Sequence, residues 1–174
     1  MPLPFSLETE RLRLRVVGRG DVDRLVSLHE DPLVAEYLGV RDRDWYEWRV
    51  GASEAEWRER GHGFVVVLDR VSGRFLGRTG LKYWPEFGET ELGWVLRPEA
   101  RGRGYATEAA AAVLGWGFEH FDLSYVTAMI RPGNEASIGV AERLGMSPLR
   151  FDELLGDRVQ VYSVTRGVWE GRSA

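Results

Sequence analysis

The segment LRPEARGRGYATEA, residues 96–109, is the part of the chain that says most about its fold and chemistry. A strand-like run ends, a loop rich in Arg and Gly follows, and a helical pattern then begins. The first N–H groups of a helix have no partner within it and carry a partial positive charge of about half a unit. Gly102 and Gly104 lack side chains that would keep an anion away, and Arg101 and Arg103 add positive charge. The segment therefore predicts a pyrophosphate cradle, although an ordinary surface turn before a helix has the same composition.

Two other kinds of phosphate loop do not fit this segment. The P-loop needs Gly-Lys followed by Ser or Thr, and that sequence is absent here. The dinucleotide fingerprint needs Gly-x-Gly-x-x-Gly after the first strand of a βαβ unit, and the third Gly is missing here. The sequence therefore excludes these two classes of phosphate-binding loop.

Size and composition fit one soluble domain over residues 1–174. The chain has no cysteine, which excludes disulfides, thiolate metal sites and a cysteine nucleophile. The formal net charge of -4 argues against a nucleic-acid partner. The first ten residues do not have a signal-peptide pattern, and no apolar run approaches the length of a membrane span. We therefore expect a cytoplasmic protein without a membrane partner.

Hydrophobic periodicity predicts a mixture of strands and helices along the chain. Predicted strands cover residues 11–16, 64–68, 74–83, 90–96, 125–130, 147–154 and 158–165. Predicted helices cover residues 21–29, 33–38, 42–60, 104–121 and 134–145, with Asp21, Asp42 or Asp44, and Asn134 as N-caps. Three strands run consecutively without helical crossovers. The order therefore indicates a mixed α/β sheet and not a doubly wound Rossmann pattern.

Several motifs together make the chain resemble the GNAT superfamily of N-acetyltransferases. Arg101-x-x-Gly104-x-Ala106 is similar to the coenzyme A-binding signature Gln/Arg-x-x-Gly-x-Gly/Ala and lies at the family's position for it. NEASIGVAERLGM, residues 134–146, is similar to the family's Asn-x-x-Ser/Ala…Glu-Lys-Leu-Gly-Phe segment. The runs LETERLRLR and GYATEA, which begin at residues 7 and 104, resemble the branch that contains the ribosomal-protein N-terminal acetyltransferases. These motifs follow the family's order over nearly the whole chain.

The resemblance implies a fold, a reaction and a cofactor site. The fold would be a GNAT-like mixed α/β domain with a mostly antiparallel sheet of six to seven strands and about four helices. The reaction would be direct transfer of an acetyl group from acetyl-CoA to a primary amine, without a metal. In the family, the strand before the phosphate loop bulges and splays from its neighbour, and pantetheine fills the gap. The implied coenzyme A contacts are Trp94, Val95, Leu96, Arg101, Gly102, Arg103, Gly104, Tyr105, Ala106, Thr107, Asn134 and Ser137.

The resemblance also suggests two residues for proton transfer. Glu91 is the candidate base, acting directly or through water, with Glu89 as a rival; the plain interpretation is an exposed carboxylate on a strand. Many family members place a tyrosine seven residues after the asparagine, where this chain has Ala141. Ser137 is the substitute donor to the leaving thiolate, because the ribosomal-protein branch has a serine there. Its plain interpretation is helix capping.

The acceptor amine stays open at this stage. A protein N-terminus, an amino acid, a polyamine or an aminoglycoside would all serve, and the donor could carry another acyl group. An α-amine has a pKa of about 7.7 to 8.0, whereas that of a lysine amine is about 10.4. An α-amine therefore loses its proton more easily near neutral pH and depends less on a catalytic base. The early helices and the turn near residue 84 would supply the pocket walls, although core packing is the stronger interpretation for any single aromatic among them. These wall residues are Tyr37, Trp45, Trp48, Trp57, Tyr83, Trp84 and Pro85.

Two other functions remain as alternatives. A coenzyme A-binding module without catalysis, acting as a sensor or scaffold, would explain the missing tyrosine at Ala141. A nucleotide-phosphate-binding domain that shares only the Gly-rich loop would bind ATP or NAD without a preference for coenzyme A. Homodimers are frequent in the resembled branch, but the sequence defines no interface. The three histidines are scattered without metal-ligand spacing and are interpreted as structural or surface residues.

Overall fold

The computed structural model describes residues 5–172, which build one twisted sheet with helices on both faces. The strands are β1 (Ser6–Glu8), β2 (Leu12–Val16), β3 (Phe64–Asp69), β4 (Phe75–Trp84), β5 (Glu89–Leu96), β6 (Tyr125–Ile130), β7 (Ser147–Leu154) and β8 (Asp157–Thr165). The helices are α1 (Val22–Leu28), α2 (Pro32–Leu38), α3 (Arg43–Arg60), α4 (Tyr105–His120), α5 (Glu135–Arg143) and α6 (Arg166–Gly171). Short 3-10 turns at Arg19–Asp21 and Pro98–Ala100 precede α1 and the loop before α4.

The strand order is β1-β2-β3-β4-β5-β6-β8-β7, and every neighbouring pair is antiparallel except β5 with β6. The predicted mixed α/β class with a mostly antiparallel sheet is confirmed. The predicted counts were too low, since the described residues form eight strands and six α-helices.

The two unpredicted elements carry weak local signals. Strand β1 has only three residues and joins the sheet at its edge by pairing with β2. Helix α6 contains two glycines, which are poor helix formers, and it depends on the Thr165 hydroxyl, which accepts a hydrogen bond from the Val168 N–H.

The predicted helix caps have mixed outcomes. Asp42 and Asn134 cap α3 and α5 as predicted, each accepting a bond from a backbone N–H in the first turn. Asp21 occupies the N-cap position of α1, but its side chain makes no capping bond to that helix, because its buried carboxylate accepts bonds from the Arg15 guanidinium and from the Gly18 N–H. It thereby ties strand β2 to the turn that leads into α1.

Alternation along β3 shows how the sheet separates two cores. Val65 and Val67 point to the face covered by α4, and Val66 and Leu68 point to the opposite face, which packs on α1 and α3. All four side chains are buried. Burial on both faces accounts for the near-continuous apolar run of this strand.

The central strands diverge at β5. Strand β5 pairs with β4 at eight successive positions but with β6 only at Glu91 and Thr127. The splay implied by the resemblance is therefore present. The bulge implied for β5 is not, because its register with β4 is continuous; the register shift lies instead between β3 and β4, beside Val67.

Gly80 in the middle of β4 allows a close approach of β3. Its φ is +148°, and a Cβ there would lie 2.4 Å from the Gly63 carbonyl oxygen.

We expect Gly80→Ala to lower the free energy of unfolding by about 2 kcal/mol, since the backbone must shift. Denaturant unfolding measures this. Gly93→Ala is the matched control, because a Cβ on that cross-strand partner meets no atom within 4 Å. Equal stability of the two variants would contradict the close approach.

Candidate active site

A cleft of about 1600 Å³ opens where β5 leaves β6. We call its two parts the loop end and the α3 end. The loop end is lined by residues within 94–96, 101–107 and 134–143. The α3 end is lined by residues of α3, β4 and β5, among them Trp45, Trp48, Arg49, Glu56, Arg78, Lys82 and Glu91.

The backbone of β5 offers hydrogen-bonding groups to the gap. The Arg97 N–H donates to the Leu76 carbonyl on β4 at 2.8 Å. Residues of an antiparallel strand turn alternately toward and away from one neighbour, so Val95 also faces β4. Trp94 and Leu96 then present their N–H groups to the gap on the β6 side. Of the three backbone contacts predicted for coenzyme A, Trp94 and Leu96 therefore face the cleft, whereas the N–H of Val95 points to β4 within the sheet.

The loop before α4 takes its shape from two glycines. Gly102 and Gly104 have φ of +72° and +79°, in the left-handed region that other residues rarely adopt, and Gly104 leads directly into α4. Both line the cleft, as do Tyr105, Ala106 and Thr107. The N–H groups that start α4 thus lie at the cleft.

Neither Arg101 nor Arg103 has a free guanidinium at the cleft, as direct binding of a phosphate would require. The Arg101 guanidinium donates to Asp31 at 2.5 Å and to the Leu96 carbonyl at 3.2 Å, so it fixes the loop against the start of α2. Arg103 is exposed and is not among the residues that line the cleft. Arg143 of α5 lines the loop end instead, and its Nε donates to the Thr107 hydroxyl at 3.1 Å. Sequence reasoning missed Arg143 because helical position alone does not show which loop it faces.

A second set of contacts holds the start of α4 from the other side. The Glu108 carboxylate accepts bonds from the Thr9 hydroxyl at 2.6 Å, the Arg11 N–H at 3.0 Å and the Arg11 Nε at 2.7 Å. Arg11 also donates to the Arg103 carbonyl at 2.8 Å and lies over the Tyr105 ring. Burial acts to raise the pKa of Glu108, but these hydrogen bonds outweigh it and hold the pKa below its usual value. We call this group the Glu108 clamp.

The start of α5 closes the loop end. The Asn134 side-chain carbonyl accepts a bond from the Ser137 N–H at 3.3 Å, so Asn134 does cap this helix. Both residues line the cleft. Within residues 5–172, the Ser137 hydroxyl has no hydrogen-bond partner, which leaves it free to donate into the cleft. Ala141 is fully buried in the core and does not line the cleft.

The structure distinguishes the two candidate carboxylates. Glu91 lines the cleft, and its oxygens accept bonds from the Trp84 indole N–H at 2.6 Å and, weakly, from the Met129 N–H at 3.4 Å. Burial raises the pKa of Glu91, against the lowering effect of these hydrogen bonds. Glu89 is committed elsewhere: Arg150 donates to both of its oxygens at 2.8 Å and holds its pKa below the usual range.

Most of the predicted wall aromatics line the cleft, and one does not. Trp57 is buried in the core, where its indole N–H donates to the Phe64 carbonyl at 3.0 Å. His29 donates through Nδ1 to the Gly39 carbonyl at 2.8 Å, and its Nε2 lies 2.6 Å from the Tyr46 hydroxyl, which gives the ring a structural role. The other predicted walls are in place at the cleft, namely Tyr37, Trp45, Trp48, Tyr83, Trp84 and Pro85.

The described part of the chain has neither a metal-binding group nor a membrane-spanning helix. Among residues 5–172, no group of three or more acidic or histidine side chains could hold a metal ion. No helix in the same range is both long and apolar enough to cross a membrane.

Comparison with known proteins agrees with this geometry. Residues 11–147 match the acetyltransferase (GNAT) domain. The chain belongs to the GNAT acetyltransferase family. It is 39% identical over 146 residues to the uncharacterized N-acetyltransferase YnaD of Bacillus subtilis, covering 82% of each chain.

Two solved structures extend the comparison. An acetyltransferase from Agrobacterium tumefaciens superposes with a TM-score of 0.81 at 32% identity, covering 92% of this chain and 94% of that one. RimL, a ribosomal L7/L12 α-N-protein acetyltransferase in complex with coenzyme A, has a TM-score of 0.77 at 18% identity, covering 92% of this chain and 98% of its own, and shares the fold. GNAT enzymes take their acetyl group from acetyl-CoA, so the chain is an acetyl-CoA-dependent N-acetyltransferase.

Proposed function

We propose that this chain acetylates a primary amine directly at the cleft between β5 and β6, with no covalent enzyme intermediate. The observation that carries the proposal is the position of Glu91 at the last pairing point of the two strands, with a raised pKa and beside an open gap. A base belongs at the place where the amine must lose its proton. The described residues would work as one domain.

The loop end fits the donor. Pantetheine would lie in the gap along β5, where the Trp94 and Leu96 N–H groups face it, and the pyrophosphate would lie at the start of α4. Gly102 and Gly104 keep that start open, and Arg143 adds a cation that Arg103 does not supply from its exposed position. Acetyl-CoA supplies an activated thioester, and the chain supplies its placement.

The reaction then needs three groups from the chain. As the amine nitrogen bonds to the acetyl carbon, the C–S bond breaks and Glu91 accepts the amine proton. A β5 N–H, that of Trp94 or Leu96, stabilises the negative charge on the acetyl oxygen, a contribution of about 3 kcal/mol in comparable sites. The Ser137 hydroxyl donates to the leaving sulfur, whose thiol pKa is about 8.5, so one hydrogen bond suffices.

The alternative without catalysis makes a different prediction. A coenzyme A-binding sensor would bind acetyl-CoA and release no thiol with any amine. Its support is that Ala141 lies in the core and places no acid in the cleft. Ser137 at the cleft offers the missing donor and favours the enzyme.

Charge at residue 104 tests the cradle. We expect Gly104→Asp to weaken acetyl-CoA binding at least about tenfold relative to Gly104→Asn, because only the former places an anion beside the pyrophosphate. Asp and Asn have similar size and tolerate positive φ similarly, so the pair isolates charge. Calorimetric titration measures both, with ATP and NAD as selectivity controls. Equal affinities would place the pyrophosphate elsewhere.

The pH profile tests Glu91. A base must be ionised and the amine must be neutral, so log kcat/KM should rise with a slope of about two below the pKa of Glu91 and about one above it. Because burial raises this pKa, the change of slope should lie above the usual carboxyl value of 4.5. Glu91→Gln should lower kcat by about 100-fold and leave a single slope. If only Glu89→Gln lost activity, Glu89 and not Glu91 would be the general base.

Substitution of Ser137 tests the leaving-group role. Ser137→Ala should lower kcat by about tenfold with little change in KM for acetyl-CoA, because the bond to sulfur strengthens only as charge develops. Ser137→Thr keeps the hydroxyl and should restore most of the rate. An unchanged kcat in Ser137→Ala would leave this residue with a capping role only.

A further inference from the structure

Two arginines lie on the same aromatic ring at the α3 end of the cleft. The guanidinium carbons of Arg49 and Arg78 are 4.1 Å and 4.5 Å from the centre of the Phe64 ring. Arg49 comes from α3 and has a side chain only 4% exposed, whereas Arg78 comes from β4. All three residues line the cleft.

Both arginines have hydrogen-bond donors that nothing satisfies. Among residues 5–172, the only buried side-chain nitrogen or oxygen atoms without a hydrogen-bond partner are Arg49 Nη1 and Arg78 Nε. Buried donors are nearly always satisfied in folded proteins, and unpaired charged donors are especially costly. Both exceptions fall in one cluster whose residues line the cleft, so these two guanidinium groups keep donor capacity that the described protein groups do not use.

One cation in this part of the cleft has no bonded carboxylate. Glu56 is shared, 3.1 Å from Arg49 and 3.9 Å from Lys82, and burial lowers the pKa of both cations. Glu91 is bonded to Trp84 and Met129, as described above. Arg78 has no ion-pair partner within the described part of the chain. Glu86 also lines the cleft and acts on Lys82, so three carboxylates offset the three cations, but within the described residues none of them is bonded to Arg78.

The register of the sheet makes room for a ligand beside this cluster. Arg78 and Lys82 on β4 point to the same face as Glu91 on β5, because cross-strand partners share a face. Between them lies the Gly80 and Gly93 pair, which has no side chains, and a Cβ on Gly93 would meet open space. Arg78 is also close enough to Glu91 to act on its pKa.

We propose that the acceptor is a small primary amine that also carries an oxyanion group, which Arg49 and Arg78 bind while Glu91 receives the amine. This inference rests on the proposed function and narrows its substrate class. A guanidinium presents paired N–H donors that match the oxygens of a carboxylate or a phosphate. Polyamines and aminoglycosides carry no oxyanion that could pair with the Arg78 guanidinium.

The test is a comparison of matched acceptors by release of free thiol from acetyl-CoA. Each of the common L-amino acids is paired with its carboxamide, and phosphoethanolamine is paired with ethanolamine; spermidine represents cationic amines. We expect a carboxylate- or phosphate-bearing member to exceed its neutral partner in kcat/KM by about 30-fold or more. The amino acids and phosphoethanolamine distinguish the two sources of the oxyanion.

Arg78→Gln assigns the preference to the cluster. Arg78 forms no ion pair, so the variant should fold, which thermal unfolding confirms, and the ratio of kcat/KM between the anionic acceptor and its neutral partner should fall by about 30-fold. Arg158→Gln is the matched control, because Arg158 also lies on an aromatic ring, that of Phe151, but does not line the cleft. Its ratio should match that of the parent.

The outcomes separate this inference from the function on which it rests. Equal or faster turnover of neutral or cationic amines would overturn the anionic acceptor and leave the acetyltransferase standing. A selectivity unchanged in Arg78→Gln would also overturn it. A sample that binds acetyl-CoA but turns over no acceptor in either set would overturn the small-acceptor class. Failure of a folded sample to bind acetyl-CoA would overturn the proposed function itself.

Discussion

The single pairing point between β5 and β6 is the constraint on which the rest of the structure depends. Glu91 and Thr127 keep the sheet joined at one place, and beyond it β5 has a partner on one side only. Backbone groups that leave a ladder must find other partners, because a buried N–H without one is costly. The N–H groups of Trp94 and Leu96 thus remain available to a bound extended molecule, and the loop that follows β5 delivers the start of α4 to the same cleft. Sheet topology, backbone donors and the helix start act together as one binding surface.

The polar groups that the fold leaves unsatisfied are concentrated along this cleft. At the loop end they are backbone N–H groups and a free Ser137 hydroxyl, and at the α3 end they are the guanidinium donors of Arg49 and Arg78. Folded proteins satisfy such groups nearly everywhere else, so each exception carries information about what binds. Donors thus lie at both ends of the cleft. The carboxylate of Glu91 on β5 lines the same cleft and has the opposite character.

The sequence predicted the elements that have strong local signals and missed relationships that only the tertiary structure creates. Strand β6 and strand β7 were predicted at their observed bounds, because alternation and flanking turns mark them. The cap at Asn134 was also predicted, since it follows from short-range geometry. Asp21 was misassigned because its partner, Arg15, lies on a different element. The same reason explains why Arg49, Arg78 and Arg143 did not stand out: an arginine's partners, or their absence, depend on packing between distant segments.

The Glu108 clamp has a consequence for the order in which the molecule assembles. Its hydrogen bonds join residues 97 and 99 positions apart, whereas the hairpins from β3 to β5 pair within a short stretch of chain. Contacts of high sequence separation form late, because a long loop must close before they contribute. A folding intermediate with its central hairpins complete would still have a loosely held start of α4. The start of α4 would therefore reach its final position only in the last stage of folding, when the two distant segments have met.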